Sequence, residues 1–125
     1  MENLNDLFVP YEIAKELKEK GFNEGCLAVF QTQESNRLII QSFSKLELNS
    51  ATHLLSAPTY EQVKLWFIEK HLIFITVNCP KWLHEFQGEV ETSDALVNTE
   101  IFHNYNEAFN DAINAAIPFI NNDNN

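Results

Sequence analysis

Histidine is the side chain whose ordinary titration falls near neutral pH, and the chain has four: His53, His71, His84 and His103. None stands at a sequence spacing that suits a zinc site or a catalytic triad. His84 falls in an alternating segment, Trp82 to Val90, on the side shared by Trp82 and Phe86. There it reads either as a general base in a pocket or as a partly buried core histidine held by a hydrogen bond. His103 would face it if the following strand paired alongside, and the two with a carboxylate would then supply metal donors. Glu85, Glu89 and Glu91 take the opposite side of the same segment. Alternate strand residues are about 7 Å apart, too far for two neighbours to chelate one ion without help from another strand. Retaining glycosidases need two carboxyls about 5–5.5 Å apart in a sugar cleft, of which the chain gives no other sign. The acidic row therefore reads as a solvated sheet face or as a surface that docks a basic partner.

Other chemistries lack their motifs. GxGxxG, a Walker loop, GxSxG and HExxH are all absent from the sequence. Only three glycines occur, Gly21, Gly25 and Gly88, which is poor material for a phosphate-cradling loop. Glu24 would oppose a phosphate at the one glycine-containing turn. Cys26 and Cys79 form no CxxC and are expected as two buried apolar thiols. No cofactor and no bound metal is expected.

Charge narrows the partners. The net charge is −10. Residues 1–81 hold all 8 basic residues against 10 acids, or −2, and residues 82–125 hold 8 acids with no Lys or Arg, or −8. Nucleic-acid binders gain affinity by neutralising phosphates with cations, so nucleic acid is not an expected partner. The helix-strands-helix order from Thr59 onward is similar to that of double-stranded RNA-binding domains, in order of elements alone. Such domains meet phosphate with basic residues at the start of the last helix, where this chain has Glu107 and Asp111. An anionic membrane surface would be repelled as well. The longest apolar runs, such as Leu72 to Val77, are far short of the ~20 residues of a spanning helix. The N-terminus is acidic and polar, unlike a secretory signal, and a cytoplasmic location is expected.

The elements that must position these residues can be read in outline. With 125 residues, 45% apolar and 21% charged, the chain has the size and balance of one folded domain. A single α+β domain is expected over 1–120, with a frayed polar tail at 121–125. The first helix is placed from Pro10, with Ile13, Ala14 and Leu17 on one face and Gly21 as a left-handed cap, letting Phe22 pack back on Leu17. A second helix starts at Thr59, where Thr59 and Gln62 have capping-box spacing, and runs to about His71 with Tyr60, Val63, Trp66 and Phe67 as its stripe. A third starts near Asn104 with Glu107 at the same spacing, and Pro118 should end or kink it. Cys26 to Gln31 and Arg37 to Phe43 suggest a hairpin. Leu72 to Val77 is apolar on both faces and reads as an interior strand covered on both sides. Trp82 to Val90 and Thr99 to His103 are the remaining strands, with 44–58 mostly loop. The expected order is α-β-β-α-β-β-(β)-α, with antiparallel meandering strands and about three helices.

Three blocks stand out within that outline. They are Leu7-Phe8-Val9-Pro10-Tyr11-Glu12 running to Gly21-Phe22, Ser56-Ala57-Pro58-Thr59-Tyr60-Glu61-Gln62 running through Trp66-Phe67 to Glu69-Lys70-His71, and Tyr105-Asn106-Glu107-Ala108. Together they resemble a family of short hypothetical proteins from Bacteroidetes genomes, many of them on phages and other mobile elements. The resemblance covers most of the chain, with 32–55 and 84–103 carrying little of it. It brings no activity, ligand or partner. The glycine usual in that family after the second helix is replaced here by His71-Leu72, a departure that bears on a turn and not on chemistry.

The preferred reading is a non-enzymatic accessory protein whose acidic C-terminal third, with Glu85, Glu89 and Glu91, docks a basic protein. A DNA mimic is a variant of it. The alternatives are a small enzyme or metal- or ligand-binding domain using His84, His103 and nearby carboxylates, and a structural homo-oligomer.

Overall fold

The computed structural model describes residues 4–31, 36–40, 54–79 and 84–120. His53, Trp82, most of the turn between the first two strands and the tail at 121–125 lie outside the described residues. The chain divides into two compact units, Met1–Gln62 and Val63–Asn125.

In the first unit a short 3-10 turn, Leu4–Leu7, leads to helix α1, Tyr11–Glu19. Pro10 is the N-cap, one residue earlier than the first-turn position expected of it, and its carbonyl accepts from the Ala14 N–H at 3.0 Å. Ile13, Ala14 and Leu17 are buried, as their helical spacing predicts. Gly21 closes the helix in the left-handed region, at φ 101°. Its N–H donates to the Lys18 carbonyl (3.1 Å) and the Phe22 N–H to the Leu17 carbonyl (2.9 Å), the bond pair of a Schellman cap. Phe22 and Leu17 are both buried beneath it.

Strands β1 (Ala28–Gln31), β2 (Arg37–Ile40) and β3 (Leu54–Ala57) form an antiparallel sheet in the order β2-β1-β3. β1 is central, and Ala28, Val29 and Phe30 are all buried. Phe30 meets the Tyr11 ring edge-on, with centroids 5.6 Å apart. β3 lies within the stretch expected mostly as loop. It is short, and its pairing with β1 and contact with α1 hold it, neither of which a local pattern reveals.

Helix α2, Tyr60–His71, is started by Thr59, whose Oγ1 accepts from the Gln62 N–H at 3.1 Å. The capping box forms by this half only: the Gln62 side chain instead donates from Nε2 to the Gly25 carbonyl at 2.6 Å. That bond ties the helix start to the turn before β1. At the other end Leu72 takes the left-handed conformation, φ 54°, where a glycine would carry no Cβ penalty. Its N–H donates to the Ile68 carbonyl and the Ile73 N–H to the Phe67 carbonyl, both at 3.1 Å. With Leu72 71% exposed, Leu72→Gly gives up little burial. It is expected to raise stability by about 0.5–1 kcal/mol, read as a higher urea midpoint at unchanged slope.

His71, the last residue of α2, lies 4.8 Å from the Trp66 ring and 6.3 Å from that of Phe67, centroid to centroid. Burial among these rings lowers its pKa from the ordinary 6.5, because it disfavours the charged imidazolium. Below pH 6.5 the unfolded chain takes up this proton before the folded one does. The stability His71 contributes is therefore complete above 6.5 and falls as the pH drops through its lower, folded value. Urea midpoints measured from pH 7.5 down to 5 should decline, and His71→Gln should flatten that decline.

The second unit carries strands β4 (Phe74–Asn78), β5 (Phe86–Glu91) and β6 (Leu96–Phe102), an antiparallel meander in the order β4-β5-β6, and helix α3, Tyr105–Ala116. α3 contacts all three strands. Asn104 caps it, its Oδ1 accepting from the Glu107 N–H at 3.0 Å, as the spacing predicts. It ends at Ala116 and gives way to a 3-10 turn, Ile117–Phe119, around Pro118, again as expected. Ala108, Phe109, Ala112, Ile113 and Ala116 form its buried face.

The α+β class and the antiparallel pairing are as read from the sequence, and so is the order of helices and strands, with β3 added. β4 corrects one expectation. It is an edge strand with alternating burial, not an interior one covered on both sides, and Phe74 is 45% exposed. The cysteines, expected as two buried thiols, differ: Cys26 is buried, whereas Cys79, just past β4, is exposed.

Candidate functional site

Pairing registers sort the second sheet into two faces, since residues directly opposed in an antiparallel sheet point the same way. Ile75, Val90 and Val97 stand opposite one another, and Ile75 and Val90 are fully buried. This row marks the inward side, together with Phe86 and Phe102. The rows between point outward: Phe74 with Glu91 and Leu96, Thr76 with Glu89 and Asn98, Asn78 with Gln87 and Ile101. Glu89 and Glu91 thus form a column on the central strand, flanked by β4 on one side and β6 on the other. The Thr76 hydroxyl donates to Glu89 Oε1 at 3.4 Å. Phe74, Leu96 (59%) and Ile101 (46%) are exposed at three corners of this nine-residue array.

The array depends on a bulge. Between Gln87 and Glu89 the register with β6 shifts, so that Thr99 and Glu100 together stand opposite Gly88. Thr99 repairs the interrupted ladder with its side chain. Its Oγ1 accepts from the Gly88 N–H at 3.0 Å and lies 3.3 Å from the Gly88 carbonyl, to which it can donate. Gln87 Nε2 donates to the Thr99 carbonyl at 2.8 Å. On the inward side Gly88 is the point where α3 approaches the sheet. A Cβ placed there would lie 2.7 Å from Ala112 Cβ and 2.8 Å from the Ala108 carbonyl oxygen.

Of the acids singled out from the sequence, Glu89 and Glu91 therefore share the outward face. Glu85 precedes β5 and is half-buried. The strand face proposed for His84 is corrected. His84 is exposed and has a left-handed backbone, φ 62°, which breaks the alternation and delays the strand to Phe86. His103 does come to it, but through the main chain: its Nδ1 lies 3.3 Å from the His84 carbonyl oxygen. In the tautomer that carries its hydrogen on Nδ1, His103 donates to this carbonyl, and the ring of His84 takes no part in the contact. Among the described residues no three His, Cys, Asp or Glu side chains gather where they could hold a metal ion.

Sequence reasoning missed Phe74, Leu96 and Ile101. Phe74 falls in a run, Leu72 to Val77, that is apolar on both faces in the sequence. Leu96 and Ile101 are five residues apart, and strict alternation would put them on opposite faces. A bulge signal, such as the small polar Thr99 opposite Gly88, is the clue that could have joined them.

No helix among the described residues is long and apolar enough to cross a membrane. Compared with protein families, with curated proteins and with solved structures, the chain matches none.

Proposed function

We propose that this chain is an accessory protein that docks a basic protein partner through the outward face of its second sheet. The observation that carries the reading is electrostatic. Glu89 and Glu91 stand in one column on that face, within a stretch, 82–125, that holds eight acids and no Lys or Arg. A field of one sign steers an oppositely charged partner and orients it before contact. Two copies meeting by this face would oppose their own glutamates, which favours a different chain as partner. A cytoplasmic setting, and the mobile-element setting implied by the family resemblance, belong to the same proposal.

The test is affinity capture from host lysate at low and high salt, with mass spectrometry of what is retained. A partner held at low salt and released at high salt is expected. In the Glu89→Lys/Glu91→Lys variant, capture of that partner should fall by about tenfold or more, while the urea midpoint moves little because neither carboxylate lies in the core. Undiminished capture by this variant would overturn the reading.

A further inference from the structure

We infer that the element docked on this face is a cationic amphipathic α-helix, gripped by the exposed apolar corners as well as by the glutamates. The inference rests on the docking reading above and adds the partner's shape. One face of the sheet already carries a helix, α3, packed across all three strands. The other has the same three-strand width, about 10 Å between the outer strands at ordinary spacing, close to the diameter of a helix with its side chains, and among the described residues Phe74, Leu96 and Ile101 are exposed on it. Glu89 and Glu91 are two residues apart on β5, hence about 7 Å. Lysines or arginines four residues apart on a helix rise about 6 Å, so two successive cations can each meet one carboxylate. Phe74 and Leu96 flank Glu91 from the neighbouring strands. They would receive the apolar side chains beside those cations, with Ile101 doing the same at the far end of the column.

Addition of a partner strand along the β6 edge fits less well. The outer strand β6 carries the bulge at Thr99–Glu100 and the charge of Glu100, both devices that blunt an edge. Anionic lipid headgroups and nucleic acid share the sign of the glutamates and are disfavoured by it.

The test uses the full chain, isotopically labelled, and two synthetic peptides of about 18 residues, long enough for helix formation on contact. One places leucine and lysine at helical spacing; the other has the same charge in serine and lysine. Amide shifts of Phe74, Glu89, Glu91, Leu96 and Ile101 are followed by NMR. The leucine–lysine peptide is expected to move these amides and to bind about tenfold or more tightly than its serine counterpart. Phe74→Ser with Leu96→Ser, both exposed positions, should erase that difference. Equal affinity of the two peptides at this face would overturn the helix inference and leave charge-driven docking standing. Shifts confined to other surfaces, or none with either peptide, would overturn both.

Discussion

Gly88→Ala is expected to lower the stability of the second unit by about 1–3 kcal/mol, the usual cost of forcing a methyl group into a packed contact. The added Cβ would sit 2.7 Å from Ala112 Cβ, 2.8 Å from the Ala108 carbonyl oxygen and 3.0 Å from Thr99 Oγ1. Two of these neighbours belong to α3, and one of the two is main chain, so no rotamer change relieves them. The helix must lift from the sheet or the bulge must open. Relief of unfolded-chain entropy on replacing glycine recovers only about 0.4–1 kcal/mol. Both tryptophans, at 66 and 82, lie in the second unit's part of the sequence, so Trp fluorescence in a urea titration follows that unit. The midpoint should fall with little change in slope. Adding Ala112→Gly removes one of the three contacts, so Gly88→Ala should cost less in that background than alone. A Gly88→Ala midpoint equal to that of the parent would show that α3 does not approach the sheet this closely.

Phe67→Ala is the other large effect. The Phe67 side chain is fully buried in α2, its ring 5.2 Å from that of Trp66 and 6.3 Å from that of His71. Truncation removes most of a large apolar surface and leaves a cavity lined by rings that cannot collapse fully. Core Phe→Ala changes cost about 3–5 kcal/mol, a major share of the ~5–15 kcal/mol that holds a domain together. Phe67→Leu keeps most of the volume and should cost roughly 1–2 kcal/mol. Equal, small losses for both variants would mean that the ring is not packed as described. The alanine variant should also change the Trp66 emission before any urea is added, since Trp66 loses an edge-on neighbour.

The parts of this fold that sequence reasoning reached are those written in adjacent residues. Gly21 behind a helical stripe, Asn104 three residues before Glu107, and Pro118 past a run of alanines each set a backbone boundary by local sterics or one short hydrogen bond. The acids of β5 were placed on their face by alternation alone. What was missed depends on residues far apart in the chain. A left-handed His84 leaves no mark in hydropathy, so alternation starts the strand too early and gives the histidine a face it does not have. β4 reads as an interior strand because apolar content alone does not tell a covered residue from one at an open edge. Leu72 in a glycine-like conformation was legible only as a missing glycine. The candidate site is half visible in the sequence: its charges follow from alternation along one strand, whereas its apolar corners need the register across three strands.

The bulge in β6 also bears on how this sequence can change in length. Strand faces are read in steps of two, like a frame, and the extra residue at Thr99–Glu100 is a shift of that frame by one. Losing Glu100 would let the ladder close regularly, with Thr99 alone opposite Gly88, Leu96 and Ile101 still outward and Val97 and Phe102 still inward. Gaining one would need a second bulge or an exchange of faces beyond it. Among related sequences, this strand should tolerate a one-residue deletion more readily than a one-residue insertion. Such a deletion would give up part of the bonding between Thr99 and Gly88 while keeping both surfaces of the sheet.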